Sequence, residues 1–166
     1  KARYGAMLRE DGIVMDDGTT TRISENHYHM TTTTAQAANV LSHLEYYLQI
    51  VWPKLNVNVV STTEQWAGAA IAGPNSRKLL QKLFSDKDVS NEALPFMGYM
   101  EGNLFGMHAR IFRISFSGEL AYEINVEANY GRYIWDQVAI TGEKWNITPY
   151  GTESMHVLRA EKGYII

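Results

Sequence analysis

The chain has 166 residues, 45% of them hydrophobic and 20% charged, with a net charge of -3. That is enough for one domain with a buried core, and it leaves no basic field or Lys/Arg-rich run for nucleic acid. The absence of cysteine excludes a disulfide framework, a thiolate metal site and a cysteine nucleophile; it fits a reducing cytosol, so a cytoplasmic location is expected.

No stretch approaches the ~18–20 apolar residues of a membrane span, and KARYGAML at the start lacks the apolar centre of a signal peptide. The chain opens without Met and stops at the apolar run GYII, of a kind that normally enters a core. Both ends lead us to expect a piece of something longer.

In chain order, residues 3–9 and 13–15 are short extended candidates separated by Glu10-Asp11-Gly12. Asp16-Asp17-Gly18 has turn composition and is expected to break the second strand. β-branched residues resume from Thr19 to Ile23, and His27 to Thr33 is expected as a strand. Thr34 is a plausible N-cap for a helix over 35–52, in which Val40, Leu44, Tyr47, Leu48 and Val51 recur at helical spacing until Pro53.

Strands are expected at 57–61 and 66–72, then a helix over 76–84 with Leu79, Leu80 and Leu83 inward. A hairpin is expected over 96–114, turning at Phe105-Gly106. Tyr122, Ile124 and Val126 alternate with Ala121, Glu123 and Asn125, so a strand there presents Glu123 on the face opposite its apolar one. Helices near 130–139 and 153–162 complete the pattern. Strands and helices interleave, yet several neighbours pair through tight turns, which gives an α+β class. Two lobes are expected, 1–92 and 93–166, each of mixed or antiparallel sheet with packed helices.

Few residues carry obvious chemistry. Two adjacent acids such as Asp16-Asp17 are ordinarily solvated turn formers, and a lone strand carboxylate such as Glu123 is ordinarily a surface group. His27 and His29 share a strand face without a third ligand, so no metal is expected. No dinucleotide fingerprint, Walker A motif or nucleophile elbow occurs. Some of the 4 Trp, 10 Tyr and 5 Phe would suit stacking on a flat heterocycle.

The order of segments carries more. RYGAMLREDGIVMDD, a strand, a helix, AGAAIAGPNSRKLLQKL, and LPFMGYMEGNLFGMHARIFRISFSGELAYEINV together resemble the glycine cleavage T-protein family of folate-dependent aminomethyltransferases. That family includes the folate domains of dimethylglycine and sarcosine dehydrogenases and of heterotetrameric sarcosine oxidase alpha subunits. The ending YGTESMHVLRAEKGYII looks most like the last of these branches.

The resemblance implies a tetrahydrofolate cleft lined by Tyr4, Asp17, Thr33, Phe116 and Glu123. Asp17 matches the acid at the family's folate site, Tyr4 a tyrosine that packs near folate, and Glu123 the glutamate that bonds the pterin amino and ring N–H groups. Thr33 stands where the T-protein has an asparagine, Phe116 where it has a tyrosine, and Glu153 where many relatives have an arginine. For the parent assembly the resemblance implies oxidation of sarcosine at a flavin on a beta subunit, with FAD, FMN and NAD present there but not on this chain. Folate would then trap the imine as 5,10-methylenetetrahydrofolate, with glycine and hydrogen peroxide as co-products. A stand-alone aminomethyltransferase or a dehydrogenase tail would share these features. A folate-binding iron–sulfur assembly factor needs a Lys-Gly-Cys motif, and this chain reads Lys162-Gly163-Tyr164.

Overall fold

The computed structural model describes residues 1–165. β1 (Ala2–Leu8) and β2 (Val14–Ser24) pair antiparallel, and β3 (His27–Met30) adds to the other side of β2, giving a three-stranded sheet in the order β1-β2-β3. The register sets Tyr4 opposite Thr19, Gly5 opposite Gly18, Ala6 opposite Asp17 and Met7 opposite Asp16. The ladder therefore runs through Asp16-Asp17-Gly18 without a break. The expected turn is not there, and one long strand replaces two short ones.

Two contacts override the turn composition. The Asp16 carboxylate, buried at 6% exposure, is bonded to Thr33 beyond the sheet. Gly18 lies so close to Thr31 that a Cβ would stand 1.9 Å from its carbonyl oxygen, so only glycine lets the chain after β3 cross this point.

A 3-10 turn (Thr34–Gln36) leads into α1 (Ala37–Tyr46), which ends in a π-helical turn (Tyr47–Val51) before Pro53. Of the five apolar residues expected to face inward, only Val40 is buried; Val51 is exposed. Residues 57–61 form no strand. Val57, Val59 and Val60 are exposed there, and alternation makes a strand only where a neighbour takes up the backbone groups.

A second sheet is built from β4 (Trp66–Ala72), β5 (Tyr99–Leu104), β6 (Met107–Phe112) and β7 (Ala121–Glu127), antiparallel throughout in the order β4-β7-β6-β5. Phe105 and Gly106, at φ 52° and 88°, make the β5–β6 hairpin turn with both central residues left-handed. α2 (Ser76–Leu83) and α3 (Gly131–Gly142) pack on the sheet, and α4 (Thr152–Lys162) follows. Ile71, Tyr122, Ile124, Val126, Ala109 and Ile111 share one face, and that face joins Leu79, Leu80, Leu83, Phe84, Ile134 and Val138 in a continuous core. Each fully buried Leu, Ile or Val side chain there contributes about 1.5–3 kcal/mol.

The class is α+β, with two antiparallel sheets and four α-helices among the described residues. The chain divides into two compact units, Lys1–Glu64 and Gln65–Ile166. The stretch 65–92, which the sequence groups with the first lobe, instead gives β4 and α2 to the second unit, because β4 pairs with β7 along its whole length. In the closing run, Tyr164 and Ile165 are exposed; Ile166 lies outside the described residues.

Candidate functional site

Consecutive strand residues point to opposite faces, so Asp16 and Asp17 cannot do the same job. Asp16 is turned to the face where Thr33 lies. Its Oδ2 accepts the Thr33 backbone N–H at 2.9 Å and its Oδ1 accepts the Thr33 hydroxyl at 2.8 Å. Both carboxylate oxygens of this buried acid are thus engaged in a charge-assisted pair of bonds. That pair ties the start of the helical segment to the middle of β2.

Asp17 is turned the other way and is only partly buried. Its Oδ2 accepts the Tyr4 hydroxyl at 2.7 Å, across the diagonal of the β1–β2 pair. Tyr4 itself is half exposed. His29 of β3, opposite Thr21, lies on this face of the sheet as well. The structure thus joins Tyr4 to Asp17, and it joins Thr33 to Asp16 instead. The Thr33 hydroxyl gives its proton to Asp16, which leaves its oxygen able only to accept from another group.

In the second unit Glu123 lies on β7 opposite Phe112 and Ala70, on the sheet face away from the core. Along that face β4 offers only the small Gly68 and Ala70 beside Asn125 and Glu123. The Glu123 carboxylate is largely buried, and no hydrogen bond or ion pair joins it to another described residue. Burial alone pushes its pKa above the ordinary carboxylate value. A partly buried acid without a protein donor costs some stability. An incoming pair of N–H donors would relieve that cost and hold the ligand in one orientation.

Phe116 sits in the β6–β7 connection, 37% exposed. The Arg159 guanidinium of α4 stacks over its ring at 4.6 Å from the centroid, and His156 meets its edge at 6.0 Å. Arg159 is itself buried at 8% exposure. The hydroxyls of Ser115 and Ser117, on either side of Phe116, are buried without a hydrogen-bond partner among the described residues. Glu153 is exposed in the first turn of α4.

Sequence reasoning missed Asp16 as an anchor and Arg159 as the partner of Phe116. Alternation along a strand would have separated Asp16 from Asp17, had the pair not been taken for a turn. Helical spacing in α4 puts Arg159 beside Met155 and Leu158, a stripe that an arginine enters only for a specific partner. Among the described residues, no group of three or more His, Cys, Asp or Glu could hold a metal ion, and no helix is long and apolar enough to cross a membrane.

The family model described as the GCVT N-terminal domain matches residues 1–166. The chain is 54% identical to sarcosine oxidase subunit alpha of Rhizobium meliloti (strain 1021) over 99% of its own length, and 53% identical to the subunit of the same name from Corynebacterium sp. (strain U-96). It spans 17% of the length of each of these relatives. An aminomethyltransferase of Halothermothrix orenii is 29% identical over 98% of the chain, which covers 43% of that protein. With a match along its full length, this chain belongs to the GCVT N-terminal domain family.

Proposed function

We propose that the chain is the tetrahydrofolate-binding module of a cytoplasmic sarcosine oxidase alpha subunit, the place where the carbon removed from sarcosine is captured. Folate is the acceptor substrate. Similarity to proteins named sarcosine oxidase subunit alpha and to aminomethyltransferases supports the reading. The single observation on the chain itself that carries it is Glu123, a largely buried carboxylate without a donor, whose pKa burial has raised. A pterin's amino and ring N–H groups supply two parallel donors to such a carboxylate.

The chemistry asks for a second, differently held acid. The folate N5 attacks the methylene carbon of N-methyleneglycine, and the C=N π electrons move to the glycine nitrogen. N10 then attacks the same carbon, and the carbon–nitrogen bond to glycine breaks. The two protons lost by N5 and N10 end on the glycine amine, so the sum is one iminium and one tetrahydrofolate giving glycine and 5,10-methylenetetrahydrofolate. Asp17 carries a proton between these nitrogens and steadies the cationic centre. Thr33 and Phe116 contribute an acceptor oxygen and a ring surface to folate.

Sarcosine oxidation takes place at a flavin on a beta subunit, with hydrogen peroxide as its other product; FAD, FMN and NAD belong to that assembly. The test is the fate of the carbon. The full enzyme turning over sarcosine should release free formaldehyde without folate and 5,10-methylenetetrahydrofolate with it. Equal formaldehyde release in both cases would overturn the reading.

A further inference from the structure

We propose that Tyr4 is a positioning residue for carbon transfer, acting through Asp17 and not through folate. The inference rests on the functional reading above. Tyr4 and Asp17 stand on adjacent strands whose backbones are fixed in one ladder, with Ala6 opposite Asp17 and Tyr4 opposite Thr19. The two side chains share a face, one residue pair apart, and the phenol reaches back to Asp17 Oδ2 at 2.7 Å.

A strand aspartate on a partly open face has free choice of rotamer, and a proton carrier must not. The bond from Tyr4 removes that freedom, because both of its ends hang from paired strands.

A tyrosine that only packs against the ligand would do so through its ring. Tyr4→Phe keeps the ring and the strand and removes only the hydroxyl, so it separates the two roles. Four forms of the assembled full-length enzyme are compared: wild type, Tyr4→Phe, Asp17→Asn and the double variant. The readouts are the single-turnover rate of methylenetetrahydrofolate formation at saturating folate, and the folate Kd. Tyr4→Phe should slow transfer about tenfold, the value of a lost charge-assisted bond, with Kd moved less than about twofold. In the Asp17→Asn background it should change the rate by less than about twofold, since the group it acts through is gone.

A tenfold loss in both backgrounds, a loss confined to Kd, or no loss from Tyr4→Phe would each overturn the proposal. Transfer as fast in Asp17→Asn as in wild type would instead overturn the underlying role of Asp17.

Discussion

Asp17 in the first unit and Glu123 in the second are both strand carboxylates, and the protein treats them in opposite ways. Asp17 is held by a bond: Tyr4 donates to it at 2.7 Å, and the strand beneath it is fixed by Asp16 clasping Thr33. Glu123 is given burial and no donor among the described residues, so its pKa rises. The units around them differ in the same sense. Few side chains of the first are buried, and they include the polar Asp16 and Thr21, whereas the second rests on a continuous apolar cluster from Ala69 to Val138. A preformed hydrogen bond suits a group that must move protons at one place. A partly buried carboxylate without a protein donor suits a group that waits for a ligand's donors, and an apolar core can carry its cost.

The largest test of this contrast is Asp17→Asn. The amide oxygen still accepts from Tyr4, so the strand and its diagonal bond should survive. Carbon capture by folate should nonetheless slow by ~10²-fold or more, as expected for loss of a general acid–base group. Reduction of the flavin by sarcosine should be unchanged, and formaldehyde should replace methylenetetrahydrofolate among the products. Equal yield and rate in both enzymes would reduce Asp17 to a strand residue.

Asp16→Ala should act on stability. It removes two charge-assisted bonds and leaves the Thr33 N–H without its partner, at a cost of about 2–3 kcal/mol. Denaturant unfolding of the full-length subunit measures it, and amide exchange in β2 and at Thr33 should quicken more than in β7. Uniform exchange across both units would contradict the local role.

Much of the second unit was legible beforehand. β4, α2, the Phe105-Gly106 hairpin and the alternation of β7 all follow from period, turn residues and leucine spacing. Those signals are local, and the large apolar core agrees with them. The first unit was harder because long-range polar contacts decide it. Asp16-Asp17-Gly18 carries a turn's composition, yet a carboxylate bond to Thr33 and the close passage of Thr31 hold it extended. The strand pattern at 57–61 met no partner, and the helix period lost its meaning where α1 passes into a π turn. For the site, Asp17, Tyr4 and Glu123 came from resemblance. The separate duty of Asp16, which only the paired register reveals, did not.

Glu123→Gln sharpens the contrast further. The amide replaces one acceptor oxygen by a donor that faces the pterin's own donors, so folate affinity should fall by about 1–3 kcal/mol. Unchanged affinity would remove Glu123 from the site.

The smallest effect is the pH dependence of the unliganded protein. A carboxyl whose pKa is raised by folding contributes stability below its ordinary value of 4.5 and loses it as pH rises through the raised value. Glu123→Gln, always neutral, should therefore melt higher than wild type at neutral pH and match it at acidic pH. A variant less stable than wild type at neutral pH would mean that Glu123 has a structural partner.

The central claim is that this module holds a reduced folate, and calorimetric titration of the full-length subunit with tetrahydrofolate tests it most directly. Saturable binding, accompanied by a rise in melting temperature that Glu123→Gln diminishes, is the predicted result. Neither heat nor thermal shift at millimolar folate would contradict the account.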